Sequence, residues 1–251
     1  MRLRSRLGRA ALRWSYRLES AAPVLFDAAS LRTINRAAFD GQSNEWIARS
    51  EEGWLPDERL LFDRLKLRPG KARCLASGAG REAFALARAG FSVLGVEQVE
   101  SMVAAGSERS RRLGLDVRFA HGDMADPPGG DKFDLVLICN LAYGFVPGRR
   151  ARVAWLSRLR SMLEAGGRVV ASYPVKEPGR FERRALPLLK AAARAAGNPD
   201  YELGDRVDAT PMFFRLFPSC GIVADEAREA GLRARFFCPT VHDHFAILTP
   251  S

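Results

Sequence analysis

The spacing of apolar positions changes along the chain, and the changes predict its elements. In residues 1–18, Leu3, Leu7, Ala10, Trp14 and Leu18 recur at helical spacing, with Arg2, Arg6, Arg9, Arg13 and Arg17 beside that stripe. Residues 20–66 read as helical and irregular, and Pro69-Gly70 then marks a turn. Beyond it, short apolar runs alternate with segments of helical period. The pattern predicts strands at 72–76, 92–96, 116–120, 133–138, 168–173, 232–238 and 244–249. It predicts helices at 82–89, 100–113, 149–163, 181–196 and 223–230. Glycines follow several of the helices, as at Gly90, Gly114 and Gly231. The run 133–138 has the character of a strand buried on both faces of a parallel sheet.

Strands that alternate with helices of this length mean βαβ units. The expected fold class is therefore α/β: a doubly wound, seven-stranded, mostly parallel sheet. Its last two strands would form an antiparallel hairpin around 239–243, and an N-terminal helical extension would precede it. The expected organisation is an extension at 1–66, whose first 18 residues form a basic amphipathic helix, and a domain at 67–251. An insertion near 176–218 would lie on the substrate side. Within it, Met212, Phe213, Phe214, Leu216 and Phe217 make a dense apolar run. That run reads equally well as a core strand or as the roof of an apolar pocket.

Length and composition narrow the classes. A chain of 251 residues can bury one large core with additions, and 47% hydrophobic with 27% charged residues is ordinary for a globular protein. No apolar run is long enough for a membrane-spanning helix, and the N-terminus lacks the apolar stretch of a secretory signal. A cytoplasmic protein is expected. The net charge is +10, but residues 1–17 hold six Arg and no acid, so the remainder carries only +4. A domain-wide nucleic-acid footprint would spread its charge differently. The basic stripe could instead touch an anionic membrane surface, or the helix could dock on its own domain with the Arg solvated. Cys74, Cys139, Cys220 and Cys238 form no CxxC pair and no zinc-like spacing, so they read as small buried hydrophobes and no metal is expected.

The segment that carries chemistry is Cys74-Leu75-Ala76-Ser77-Gly78-Ala79-Gly80-Arg81-Glu82. A glycine-rich turn here leaves a strand and opens a helix. Missing side chains let a ligand approach the backbone, and a helix N-terminus favours negative charge. The next strand ends in Glu97, a carboxylate placed to accept two hydrogen bonds from a ribose diol. The two features together address both ends of a nucleoside-like ligand.

These residues resemble the class I S-adenosylmethionine-dependent methyltransferases, whose sheet has the Rossmann-like methyltransferase topology. The resemblance rests on Gly78-Ala79-Gly80, Glu97, Gly122-Asp123-Met124 and the strand Phe133–Ile138 followed by Cys139-Asn140. Ala165-Gly166-Gly167 before a strand and a terminal β-hairpin add to it. It covers about 70–175 well and 220–250 loosely. It implies that S-adenosylmethionine is the methyl donor, that Gly78 and Gly80 line its methionine part, that Glu97 holds the ribose, that Asp123 and Met124 meet the adenine with Asp123 accepting from its amino group, and that Asn140 lies near the methionyl end. Ser77, Ala79, Gln98 and Met102 join them as cofactor-binding candidates. The family's acid in strand one is replaced by Cys74 and its first turn glycine by Ala76, which keeps a catalytically silent binding module open as a second reading. A third is an NAD(P)-binding oxidoreductase, because Gly78-Ala79-Gly80-Arg81-Glu82-Ala83 also satisfies G-x-G-x-x-A.

Methyl transfer from a sulfonium needs alignment and a dry pocket more than a catalytic triad. Tyr143, His242 and His244 are the candidates for contact with the acceptor or for a base. The Asn-Leu-Ala-Tyr sequence at 140–143 lacks the Pro-Pro-aromatic signature of enzymes that methylate nucleic-acid bases. A small-molecule acceptor with an O- or N-nucleophile is therefore the expected partner.

Overall fold

The computed structural model describes residues 14–251 apart from 128, 139, 241 and 242. Most of the predicted helix at 1–18, together with Cys139 and His242, thus lies outside the described residues.

Short β-rich runs closed by turns give strands β1 (Lys71–Leu75), β2 (Ser92–Glu97), β3 (Val117–His121), β4 (Phe133–Ile138) and β5 (Leu163–Pro174). Near the C-terminus follow β6 (Asp205–Val207), β7 (Phe213–Arg215), β8 (Leu232–Phe237) and β9 (Asp243–Pro250). Seven of them pair in the order β3-β2-β1-β4-β5-β9-β8. The first five are mutually parallel, and β9 runs antiparallel between β5 and β8. This is the expected α/β sheet with its terminal hairpin. Helices α4 (Arg81–Arg88), α5 (Glu100–Leu113), α6 (Arg149–Ser161), α7 (Arg180–Ala195) and α8 (Cys220–Glu229) complete that region. Upstream lie α1 (Ala28–Gly41), α2 (Ser43–Arg49) and α3 (Pro56–Leu65).

The period-two alternation of strands sorts the core onto two faces. Leu75, Val136 and Ile138 pack with Trp155, Leu156 and Phe217 on one side. Their neighbours Cys74, Leu135 and Leu137 pack with Phe84, Leu86 and Leu61 on the other. Such both-sided burial suits parallel strands, and each buried Leu or Phe contributes roughly 1.5–3 kcal/mol. β1 pairs with both β2 and β4, so the strand order reverses between β1 and β4 and a crevice opens at their carboxyl ends.

Three expectations change in detail. The helix predicted at 149–163 stops at Ser161 because Leu163 already pairs with Phe133. Ala165-Gly166-Gly167 therefore lies inside β5, where the register jumps between Phe133–Leu163 and Leu135–Arg168. A Cβ on Gly167 would stand 2.8 Å from the Phe133 carbonyl oxygen, so this irregularity tolerates only glycine. Second, the apolar run at 212–217 is a core element and does not roof the cleft. Part of it forms β7, paired antiparallel with β6, and Phe213 and Phe217 are fully buried.

The third change concerns the N-terminal helix. Residues 14–21 are helical, but Trp14 and Leu18 of the predicted apolar stripe are 61% and 67% exposed. The segment is held instead by Tyr16 and Ser20. The Arg206 guanidinium stacks 3.4 Å from the centre of the Tyr16 ring and donates to the Tyr16 carbonyl at 2.9 Å. The Tyr201 hydroxyl donates to the Ser20 carbonyl at 2.8 Å. Among the described residues, no helix is long and apolar enough to cross a membrane.

Candidate active site

The glycine turn after β1 is built by backbone conformation. Ala76, Gly78 and Gly80 have φ of +52°, +53° and +97°, all in the left-handed region. Ala76 pays for that conformation with about 1–2 kcal/mol that glycine would not. The Ser77 amide donates to the Val96 carbonyl at 3.1 Å, which pins the turn beside the end of β2. Gly80 serves packing. A Cβ there would lie 2.5 Å from the Phe119 ring, which also fills the space above Gly95 and Gly106.

Glu97, at the end of β2, is buried. Its Oε2 accepts from the Gly78 amide at 2.9 Å, and its Oε1 accepts from Gln98 and Val99 amides at 2.9 and 3.1 Å. Burial pushes this carboxyl above its ordinary value, against the pull of those three amides and of His121. Past β3, the Asp123 Oδ1 accepts from the Ala125 amide at 2.8 Å, closing an Asx turn at the edge of the cleft. Past β4, the chain turns through Asn140 and Leu141, both at positive φ. Ser172 on β5 holds that turn, its hydroxyl accepting from the Leu141 amide at 2.7 Å.

These strand ends enclose a cleft of about 760 Å³, counted out to its mouth, at the point where the strand order reverses. Gly78, Glu97, Gln98, Met102, Asp123, Met124 and Asn140 line it, bringing together the ends of four predicted strands and one predicted helix. A smaller adjoining cavity of about 360 Å³ takes in Ser77, Ala79, Arg49, Arg81 and Glu82. Gly80 lines neither cavity.

Arg81 and Glu82 belong to a buried ionic cluster. Arg81 donates to both oxygens of Glu58 at 2.6 and 2.8 Å, to the Gly53 carbonyl at 3.0 Å, and to Glu82. The cluster ties α3 to the start of α4. Burial drives the Glu82 carboxyl up to about 7 in spite of Arg81. Two buried polar atoms at the cavities have no hydrogen-bond partner: the Ser77 hydroxyl and the Trp46 indole nitrogen. A ligand with acceptor and donor groups would satisfy them.

Sequence reading missed the roof. Arg32, Asn35 and Phe39 of α1 and Trp46 of α2 line the cleft, as do Phe145 and Val146. Phe39 packs edge-on against Phe145, with centroids 5.2 Å apart, and tilts against Trp46 at 6.0 Å. Asn35 fixes α1 in place. Its amide nitrogen donates to the Phe213 carbonyl at 3.0 Å, and its oxygen accepts from the Phe213 amide at 2.6 Å. The apolar run at 212–217, which reads in sequence either as a core strand or as a roof, therefore anchors the helix that forms the roof. A buried-face Asn in an otherwise amphipathic helix was the only sequence signal.

Tyr143 and His244 do not line the cleft. Tyr143 is fully buried, stacks on Trp155, and donates to Glu226 at 2.6 Å. Burial and then Glu226 hold its phenol well above the ordinary value. Glu226 in turn accepts from Arg152, which also donates to Glu202 and to the Val146 carbonyl. This network supports the cleft wall at Val146 from behind. His244 stands beside Cys220, with Nδ1 3.0 Å from its sulfur. His121 hydrogen-bonds the Gln98 carbonyl through Nε2 at 3.0 Å, next to the cleft.

Residues 74–167 match the methyltransferase domain family. No curated protein sequence matches the chain significantly. Among solved structures, a Burkholderia thailandensis 1,6-didemethyltoxoflavin-N1-methyltransferase is 19% identical, with 90% of this chain and 92% of that one covered and a TM-score of 0.63. The DhpI complex with SAM and HEP is 19% identical, with coverage of 88% and 98% and a TM-score of 0.61. A Clostridium acetobutylicum S-adenosylmethionine-dependent methyltransferase is 12% identical, with coverage of 78% and 89% and a TM-score of 0.57. The dinucleotide reading of the glycine turn is not favoured by any of these. Sheet order, a carboxylate at the end of β2, an Asx loop after β3 and the matched domain converge: residues 74–167 are similar to the methyltransferase domain family, within a sheet that has the Rossmann-like fold of the solved S-adenosylmethionine-dependent methyltransferases.

Proposed function

We propose that this protein transfers the methyl group of S-adenosylmethionine to a small, partly apolar molecule through an oxygen or nitrogen nucleophile. The observation that carries this reading is the shape of the cleft: polar strand ends form its floor, and Phe39, Trp46, Phe145 and Val146 cover it.

The donor supplies an electrophilic methyl on sulfur, already activated for in-line attack. Glu97 would accept from the ribose diol with the lone pairs that the Gly78, Gln98 and Val99 amides leave. Asp123 would accept from the adenine amino group through Oδ2, between Met102 and Met124. The smaller cavity offers opposite charges to an amino-acid end. Arg49 supplies a guanidinium, and Glu82 supplies a carboxylate in place of the acid that strand one lacks at Cys74, which is buried in the core. Asn140 borders both cavities and would sit where the two parts of the donor meet. The aromatic roof would exclude water from the line of attack.

Arg32 is the only cation among the described residues that line the main cleft, and it sits on the roof side. It would orient an acceptor that carries a carbonyl or an acidic group. The Burkholderia neighbour is by its name an N1-methyltransferase of 1,6-didemethyltoxoflavin, which supports a small-molecule acceptor. Labelled donor incubated with the protein and a cell extract, then sorted by product size, tests the proposal. Label in small molecules supports it. Label mainly in RNA or protein refutes the acceptor class, and absence of any label favours a silent binding module.

A further inference from the structure

Three side chains outside the cleft carry the ligand chemistry of a metal ion. Cys220 is the first residue of α8, Cys238 follows the end of β8, and His244 lies on β9. The hairpin brings the last two together across its turn, and α8 starts beside them. One ligand atom from each residue lies within 4.8 Å of the other two, and the Cys220 sulfur is 3.0 Å from His244 Nδ1. None of the three lines either cavity of the candidate active site.

A second observation points to the same place. Tyr173, paired with His244 across β5 and β9, is fully buried, and its hydroxyl has no hydrogen-bond partner. Its ring centroid is 6.1 Å from that of His244. A buried hydroxyl at this position needs an acceptor. A neutral thiol is a weak one, whereas a metal-bound thiolate keeps lone pairs for an O–H donor.

We propose that Cys220, Cys238 and His244 hold a zinc ion, which clamps the β8–β9 hairpin to the start of α8. Two sulfurs and an imidazole select a borderline-soft cation over magnesium or calcium, which take oxygen ligands. Tetrahedral zinc with bonds of about 2.3 Å to sulfur and about 2.0 Å to nitrogen separates its ligand atoms by between about 3 and 4 Å. The observed separations reach that arrangement with small side-chain movements. On binding, each thiol releases its proton to solvent and the imidazole coordinates as the neutral base. Two thiolates then balance the two positive charges of the ion, so a half-buried site carries no net charge. Water takes the fourth position. Tyr173 donates to the Cys220 thiolate.

The test uses the tag-free, full-length chain, reduced and freed of metal, titrated with cobalt(II) and then zinc(II). One equivalent of cobalt should produce thiolate-to-metal charge transfer in the near ultraviolet and the intense visible bands of a four-coordinate ion. Zinc should abolish both and raise the melting temperature. Cys220→Ser and Cys238→Ser should each remove the charge-transfer band or cut its intensity by half, and His244→Ala should weaken cobalt binding at least tenfold. Circular dichroism of the metal-free variants checks that they fold. In the unaltered chain, zinc should slow alkylation of Cys220 and Cys238 at least tenfold, read residue by residue by mass spectrometry. That measurement holds even if a variant fails to fold. Absence of cobalt bands at excess metal, bands unchanged in both cysteine variants, or equal alkylation with and without zinc would overturn the proposal. Recovery of a metal-free chain with Cys220 joined to Cys238 would also overturn it, in favour of a redox pair.

Discussion

Replacing Glu97 by Gln tests the donor site most directly, because the structure separates the two jobs of that carboxylate. Oε1 holds the Gln98 and Val99 amides, and a glutamine oxygen can keep both bonds. Oε2 holds the Gly78 amide and, in the proposed complex, the diol. There the variant presents an NH2 group to an N–H donor and to two hydroxyls. The diol loses charge-assisted bonds worth about 1.5–3 kcal/mol each, partly offset because burial already penalises the ionised carboxylate. A net loss of about 1.4–3 kcal/mol corresponds to roughly ten- to hundredfold weaker binding. Calorimetry with S-adenosylhomocysteine on both proteins measures it. A 2′-deoxy analogue completes a double-mutant cycle: if Glu97 meets the diol, deleting the hydroxyl should matter much less in the variant. Unchanged affinity, or losses that simply add, would refute the assignment of Glu97 to the ribose.

Asn35→Ala should cut α1 loose from β7 and leave a buried Phe213 amide unsatisfied, lowering stability by about 1–3 kcal/mol in urea unfolding; it should also raise the acceptor KM, and a variant unchanged in both would show that α1 is not the roof's anchor. Gly80→Ala should cost about 2–4 kcal/mol, since it adds left-handed strain to a clash with Phe119; donor affinity of the folded fraction should stay within a few-fold, because Gly80 lines neither cavity. The buried carboxyls of Glu82, raised to about 7, and Asp205, raised to about 6, bind protons more tightly in the folded chain than in the unfolded one. Their contribution to stability is therefore greatest at low pH and is lost as pH rises from about 4 to about 7. Urea unfolding at points across that window should show the decline, and Glu82→Gln should flatten it; the same slope in the variant would remove Glu82 from the account.

The sheet was legible in the sequence because its signals are local. The central parallel strands β1 and β4 are buried on both faces, so they read as short apolar runs, and α4, α5, α7 and α8 each end beside a glycine in a left-handed conformation. The glycine turn, Glu97 and Asp123 were legible for a related reason. They stand at strand ends, where backbone amides and one carboxylate suffice, and the topology carries those ends to one crevice. Gly80 shows the limit. Its spacing read as ligand contact, but the Phe119 ring from another strand decides its role. Long-range contacts decided the rest. Tyr143 became a buried donor to Glu226, 83 residues away, rather than an acceptor contact. The roof comes from α1, held by a pair of hydrogen bonds that span 178 residues. Cys220, Cys238 and His244 show no metal spacing along the chain, and only the pairing of β8 with β9 beside α8 puts their ligand atoms within reach of one ion. Hydrophobic period and turn chemistry fix what each segment becomes. Which side chains share a site depends on the register and packing of segments far apart in sequence, and only the folded chain specifies those.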